Sequence, residues 1–481
     1  MSYYPTVIVG AGPAGLTAAY ELSKKGVRSI TLEQANKVGG IARTEIYKGY
    51  RFDIGGHRFF TKVEEVKRLW YEVLEDDFIK VPRLSRIYYN SKFFSYPLEP
   101  YNALSNLGVV NSFSIVFSYI KAKLRPSPIE DNFEQWIINR FGERLYRTFF
   151  KTYTEKVWGI PCDQIQAEWA AQRIRGLSLR KAATNALFGT NNTKTLIKEF
   201  DYPRLGPGMM WERFQELLNQ KGSPVELNTE VVKLERVGNR IQRVQVRQDG
   251  ETHVIEGNHF VSSMPVTKLV QLLDPPAPDP VIKAARSLSY RDFLIVSLII
   301  DQDNLFPDNW IYIHSPEFQV GRIQNFKNWS PEMVPEERKT CLGMEYFCSR
   351  GDDIWSMSDQ DLIKLASIEV VNLGLVDGLD LIKDGVIIRQ PRAYPVYDGE
   401  YRQHLDVIQQ FLQDFENLHT VGRNGMHRYN NQDHSMLTGI LAAKNILGEN
   451  HDLWNVNTER SYHEEISETP TKSKELELVA S

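Results

Sequence analysis

A glycine triplet, Gly10-x-Gly12-x-x-Gly15, stands where the β-branched run Val7-Ile-Val gives way to a helical pattern from Leu16 to Lys25. Glycines at that spacing permit a tight turn and let backbone N–H groups approach a pyrophosphate at the helix N-terminus. A second strand, Ser29-Ile-Thr-Leu-Glu33, follows and ends in a carboxylate suited to accept hydrogen bonds from ribose hydroxyls. Strand, glycines, helix, strand and acid together predict a β-α-β dinucleotide unit. The motif alone does not separate FAD from NAD.

The chain has 481 residues, more than one hydrophobic core usually supports, so two or more lobes are expected. Its net charge of -4 offers no electrostatic footprint for nucleic acid. The three cysteines, Cys162, Cys341 and Cys348, show neither a CxxC pair nor metal spacing, which predicts no metal centre, no disulfide framework and a reducing, cytoplasmic setting. No stretch reaches the about 18 uninterrupted apolar residues of a membrane span, and the N-terminus enters a strand at once, so neither a span nor a cleavable signal is expected.

The predicted fold class is α/β, a Rossmann-type dinucleotide domain with an inserted helical lobe and an antiparallel β-sheet substrate domain. The first is assigned discontinuously to 1–90, 206–275 and 405–450, the mainly helical lobe to 91–205 and the substrate sheet to 276–404. Residues 86–94 read as strands around an Asn90-Ser91 turn, and Val225 to Val261 reads as consecutive strands turning at Gly238-Asn239 and Asp249-Gly250. Leu418 to Arg423 reads as a last core strand feeding a helix from Ser435 to Leu447. The charged, Ser/Thr-rich stretch 457–481 has no apolar period and is expected to be disordered.

The continuation Val38-Gly39-Gly40-Ile-Ala-Arg43-Thr44 resembles the second glycine pair and arginine of flavoproteins of the amine oxidase and protoporphyrinogen oxidase group, which implies FAD. Within that group the chain resembles the UDP-galactopyranose mutase family, particularly its eukaryotic branch, along most of its length. Asp53-Ile-Gly55-Gly56-His57 is similar to the family's glycine-rich loop beside the isoalloxazine, with His57 near the flavin. Lys156-Val-Trp158 followed by Trp169-Ala-Ala-Gln-Arg173 resembles the tryptophan and arginine of its substrate cleft. Trp310-Ile-Tyr312 and Gly321-Arg322 resemble a nucleotide-stacking tryptophan, a tyrosine and a diphosphate-clamping arginine, with Tyr96 a further substrate contact. Tyr394 is similar to a phosphate-contacting tyrosine, with Tyr397 a competitor.

Gly422-Arg423 through Tyr429 to Asn431-Gln432-Asp433-His434-Ser435 resembles the family's C-terminal signature. There Arg423 and Tyr429 are implied to reach the diphosphate, while the Asn-Gln-Asp run and Ser435 contact the flavin and open the final helix. Leu98 and Glu99 stand where the family carries an aromatic and an amide that help hold uracil, so the resemblance leaves the base and the sugar open. It implies an FAD-dependent isomerase of a nucleotide sugar, with UDP-galactopyranose to UDP-galactofuranose leading. The implied catalysis has N5 of reduced flavin attack the anomeric carbon, with Arg173, Arg322 and Arg423 stabilising the departing diphosphate. Reduction calls for NADPH or another reductant, for which the sequence carries no second GxGxxG. The alternative is an FAD-dependent oxidase or dehydrogenase of the protoporphyrinogen oxidase or amine oxidase type, which the clustered arginines and tyrosines suit less well. A third reading is a non-catalytic flavin redox sensor. The oligomeric state is not legible.

Overall fold

The protein is described by a computed structural model over residues 2–96, 98, 100–167 and 198–458. Its architecture is set by two sheets. The first runs β13 (Leu273–Asp274), β10 (Glu230–Val237), β11 (Arg240–Gln248), β12 (Glu251–Ser262), β1 (Ser2–Val9), β2 (Ser29–Leu32) and β9 (Val225–Glu226), with β19 (Leu418–Thr420) also paired to β12. The strands β12, β1, β2 and β9 run parallel, and β10–β11–β12 form an antiparallel meander at one side. Alternation along β1 decides its packing. Ile8 joins a core with helices α1 (Pro13–Lys24), α5 (Gly208–Gln220) and α6 (Gln432–Ile446), whereas Val7 and Val9 point into a second core on the other face.

Helix α1 crosses α6 so closely that a Cβ at Gly439 would stand 2.3 Å from the Ala14 carbonyl oxygen. A Cβ at Gly15 would stand 2.0 Å from the carbonyl oxygen of Gly10, so this glycine is required by helix–strand packing.

The second sheet runs β18 (Ile382–Pro395), β14 (Tyr290–Ile300), β17 (Thr340–Cys348), β16 (Arg322–Asn325), β15 (Trp310–Ile313), β6 (Ser85–Tyr89) and β7 (Lys92–Ser95). Within 276–404 every pairing is antiparallel, as expected, and β6 from earlier in the chain joins β15 in parallel. By hydrogen bonding, 85–95 extends this sheet, although the sequence boundaries divided these residues between the dinucleotide domain and the helical lobe. The predicted turn is there: Asn90 and Ser91 have φ of 49° and 56°, the paired left-handed conformations of a tight hairpin.

Two short pairs, β3 (Thr44–Tyr47) with β4 (Tyr50–Asp53) and β5 (Phe78–Pro82) with β8 (Glu199–Pro203), lie outside the two main sheets. The lobe includes helices α2 (Val109–Leu124), α3 (Phe133–Phe141) and α4 (Thr152–Trp158), around Phe133, Ile137 and Phe149. All three cysteines are buried thiols. Among the described residues no helix is long and apolar enough to cross a membrane.

Candidate functional site

Gly12 caps α1 with an extended backbone and no side-chain cap, leaving the first turn's N–H groups facing outward. Gly40 comes against it: a Cβ on Gly40 would lie 3.5 Å from the Gly12 Cα, and one on Gly12 would lie 4.0 Å from the Gly40 Cα. The two glycine loops are tied where the Gly39 N–H donates to the Ala11 carbonyl at 2.8 Å. Glu33 accepts from the N–H groups of Ala11 and Ala35 at 2.8 and 2.9 Å, which anchors its carboxylate at the strand end beside the glycine turn. The uncapped N–H groups of this turn suit a pyrophosphate, and glycine at position 12 leaves the end of α1 clear of any side chain. Arg43 is less free than the resemblance implied. Its Nε is bound to Glu45 at 2.6 Å and its Nη1 to the Gly40 carbonyl at 2.8 Å and Gln390 at 3.0 Å.

The loop Gly55-Gly56-His57 lies against the second sheet. A Cβ on Gly56 would stand 2.9 Å from Gln324 Nε2, and one on Gly55 would stand 3.6 Å from Arg322 Nη2. His57 Nδ1 lies 3.2 Å from the Gly55 carbonyl, so Nδ1 carries the proton and Nε2 is left as an acceptor. Desolvation, reinforced by the Arg423 and Arg322 charges, pushes its pKa down to about 3, so the ring is neutral. Its carbonyl accepts from Gln432 Nε2 at 3.3 Å, which joins this loop to the start of α6.

Strand register assembles the next set. Trp310 pairs opposite Gln324, Tyr312 opposite Arg322, and Arg322 opposite Glu345 on β17, so all five share one sheet face. Arg322 Nε donates to Glu345 at 2.7 Å, and Gln324 Nε2 donates to the other carboxylate oxygen at 2.7 Å. Burial raises the Glu345 pKa and the two donors oppose it. Trp310 is only 3% exposed. Trp329 packs 5.4 Å from it, and the guanidinium groups of Arg58 and Arg83 sit 5.4 and 5.6 Å from its ring centre. The expected open stacking platform is therefore a core ring in this conformation. Tyr96 meets Tyr312 at 4.9 Å instead.

The C-terminal signature closes the site. Gly422 takes a positive φ of 81° and its N–H donates to Thr438 on α6, turning the chain so that Arg423 enters a cluster of tyrosines. Its guanidinium carbon lies 4.1 Å from the Tyr429 ring centre and 4.9 Å from that of Tyr394, and the two rings stack at 5.7 Å. Arg423 Nη1 donates to the Asn430 carbonyl at 3.3 Å, while its buried Nε and Nη2 have no hydrogen-bond partner. A buried guanidinium with two idle donors is matched to an oxyanion.

Trp158 borders the cluster, 6.2 Å from Tyr394 and 6.1 Å from Tyr429. Lys156 docks that helix by reaching the carbonyls of Ile313, Ser315 and Val320 at 3.1 to 3.2 Å, and burial pushes its pKa down to about 8. Tyr397, the competitor of Tyr394, uses its hydroxyl to accept the Tyr429 N–H at 2.6 Å, which leaves Tyr394 facing Arg423.

Asn431 is the N-cap of α6 in a capping box with His434, so its side chain is occupied by the helix rather than directed at a ligand. Asp433 and Ser435 are buried in the first turn. Arg173, Trp169, Glu99 and the stretch 459–481 lie outside the described residues. The sequence reading missed Glu345, Gln324 and Tyr153, whose ring stacks on His314 at 4.4 Å and 10°. Glu345 had a signal: it is a lone acid in the apolar run Cys341–Cys348, and a buried charge needs a partner.

A glycine turn at the N-terminus of the first helix on a parallel sheet, with a second sheet against a loop that carries a neutral histidine, defines a two-sheet flavoprotein. The sequence matches the family described as flavin containing amine oxidoreductase over residues 13–379, and the chain belongs to that family. A crystal structure of reduced UDP-galactopyranose mutase superposes with a TM-score of 0.82, covering 94% of this chain and 97% of that one at 20% identity, a likeness of fold. Phytoene desaturase (lycopene-forming) of Pantoea ananas is 26% identical over 275 residues, 54% of either chain. A probable UDP-galactopyranose mutase of Klebsiella pneumoniae is 27% identical over 176 residues, 34% of this chain and 42% of its own. The chain thus spans about half the length of these curated relatives.

Proposed function

We propose that this flavoprotein is a mutase of a nucleotide-activated sugar, with UDP-galactopyranose to UDP-galactofuranose as the leading reaction. The observation that carries the reading is the Arg423 guanidinium beside the stacked rings of Tyr394 and Tyr429, with its buried Nε and Nη2 unpaired. FAD, whose pyrophosphate would be held at the glycine turn that opens α1, would supply in its reduced form the nucleophile for exchange at an anomeric carbon. Arg423 would take the diphosphate oxygens as negative charge gathers there, and the Tyr394 and Tyr429 hydroxyls would donate to the same group. Neutral His57 adds no charge beside the flavin loop and offers Nε2 as an acceptor. Trp158 limits water on the far side of the tyrosines. The reductant is an NADPH-class donor or another reducing partner, and the eukaryotic branch rests on the residues of the resemblance alone.

The competing reading, an FAD-dependent oxidase or dehydrogenase, is favoured by the family's description and by the phytoene desaturase relative. A hydride-transfer site for an apolar substrate has no use for a buried unpaired arginine. The deciding experiment incubates dithionite-reduced holoprotein with UDP-, GDP- and dTDP-sugars and separates ring isomers by chromatography. A furanose–pyranose product formed only by the reduced protein, without net consumption of reductant, is expected. Oxygen uptake by the oxidised protein with no isomerisation of any nucleotide sugar overturns the reading.

A further inference from the structure

The chain returns to the site after its last helix. Helix α6 starts just beyond Tyr429 and carries the backbone away, yet Asn457, past the end of that helix, lies against Tyr429 and Asn430. Three anchors hold the returning strap. The Asn445 amide binds the N–H and the carbonyl of His451 at 2.7 and 2.9 Å, Leu453 is buried in the core shared with α6, and the Arg428 guanidinium donates to the carbonyls of Trp454 and Val456 at 2.5 and 2.7 Å.

At the tip of the strap Asn457 uses its amide as a double donor: Nδ2 reaches the Tyr429 carbonyl at 3.2 Å and Asn430 Oδ1 at 3.0 Å. Asn430 is 2% exposed, and its own Nδ2 donates to the Gly422 carbonyl at 3.1 Å, so the two ends of the turn 422–430 are tied through one side chain. Its backbone carbonyl accepts Arg423 Nη1 at 3.3 Å. Among the described residues that carbonyl is the only hydrogen-bond acceptor of Arg423, and the Tyr394 and Tyr429 rings place the rest of the guanidinium.

We infer that Asn457 is a positioning residue for Arg423: through Asn430 it holds the turn from Gly422 to Asn430 in the shape that leaves Nε and Nη2 of the guanidinium presented to an anion. A strap that only completed the fold would need Leu453 and Trp454, which pack on the core, and would have no need of an amide directed at the Tyr429 carbonyl. The backbone at Asn457 is left-handed, with φ of 59°, a conformation that asparagine and glycine accept more readily than other residues. The role rests on Arg423 meeting a diphosphate, as proposed above. A guanidinium that takes up charge as it gathers acts on the transition state more than on the bound substrate, so a displaced Arg423 lowers kcat and leaves KM nearly alone.

Two substitutions separate this role from a structural one. Asn457→Gly keeps the left-handed backbone and removes only the amide, whereas Asn457→Asp keeps the shape of the side chain and sets a carboxylate against two acceptor oxygens. In the reduced, FAD-loaded full chain, with the nucleotide sugar that the wild type isomerises, Asn457→Gly is expected to lower kcat about tenfold with KM within about threefold, and Asn457→Asp to lower kcat further. Flavin absorbance is expected to match the wild type, since Leu453 and Trp454 still anchor the strap. In an Arg423→Ala background neither change is expected to lower kcat again, because the group they act through is already gone. Hydrogen exchange read by mass spectrometry is expected to quicken in peptides covering 422–430 of the Asn457→Gly protein and to stay unchanged elsewhere. Wild-type kcat in both variants, or a loss that adds to that of Arg423→Ala, would overturn the role. A wild type that isomerises no nucleotide sugar would remove the diphosphate reading instead, and exchange then decides the strap alone: quickened exchange in 422–430 supports it, and unchanged exchange overturns it.

Discussion

Arg322 and Glu345 are cross-strand partners on β16 and β17, joined at 2.7 Å with the carboxylate fully enclosed. Arg322 thus neutralises a buried acid, whereas Arg423 has two buried donors with nothing to bind. The two arginines, equivalent in the sequence reading, should separate by experiment. Arg322→Ala strands the Glu345 charge and is expected to cost about 3–5 kcal/mol of stability, read as a lowered urea midpoint. Arg423→Ala is expected to leave the midpoint unchanged or raised, while lowering kcat/KM on a nucleotide sugar at least tenfold, as expected for losing a charge-assisted contact of about 1.5–3 kcal/mol. Equal effects of both changes on stability would remove the distinction.

Cofactor retention tests the glycine turn. Gly12→Val places a branched side chain at the uncapped N-terminus of α1, where the pyrophosphate would approach, and the purified variant is expected to be colourless, against a yellow wild type that releases FAD on denaturation. Gly399→Ala serves as control, because its backbone is not left-handed and a Cβ there meets only Gln166 Nε2 at 3.9 Å. Chromatography of the released flavin checks both, and retained FAD in Gly12→Val would show that the pyrophosphate lies elsewhere.

Legibility in the sequence followed the range of the interaction. The β-α-β unit was readable because strand, turn and helix are local, and the hairpin because Asn90 and Ser91 each tolerate positive φ. The parallel pairing of β6 with β15 was not, since the strands lie more than two hundred residues apart and nothing local marks their partnership. Within the site, the Gly422–Tyr429 turn was readable as one contiguous segment. The commitment of Arg322 to Glu345 depended on the register between two strands, and that of Trp310 to the core on Trp329 and Phe200 arriving from elsewhere. A tryptophan looks the same in sequence whether it stacks on a base or on another tryptophan.

Acid should destabilise the fold in a defined window. His314 and His427 are 7% and 1% exposed, and desolvation pushes their pKa values down to about 3 and about 4. Both groups bind a proton in the unfolded chain below about pH 6.5 but not in the native one, so stability is full above that value and falls as pH drops towards 4. Each contributes a loss of roughly 2 kcal/mol between pH 7 and pH 5. Asp53 works oppositely: burial pushes its pKa up to about 7, so the native state takes up a proton there and regains roughly 2 kcal/mol over the same interval. His57 and His419, pushed down by burial to about 3 and about 4, act in the same direction as His314 and His427, so a net loss of stability is expected in urea titrations at the two pH values, and His427→Gln should flatten the dependence. A rise in stability on acidification would contradict the assignment.

Trp310 offers the last test, because its two possible roles predict opposite signatures. A stacking platform at the surface of a nucleotide pocket, changed to alanine, would weaken UDP binding by about 1–3 kcal/mol and leave the melting temperature alone. A buried ring against Trp329 and Phe200, capped by Arg58 and Arg83, behaves as a core residue: truncation opens a cavity and costs about 3–5 kcal/mol. The geometry predicts the second, with a fall of several degrees in melting temperature before any ligand is added. Tyr312, half-buried and in contact with Tyr96, is then the aromatic whose replacement should act on the nucleotide. Tyr312→Ala is expected to weaken UDP binding in a fluorescence titration more than it lowers the melting temperature. If Trp310→Ala instead melts like the wild type and loses UDP, the ring must swing out from between Arg83 and Trp329 when the base arrives.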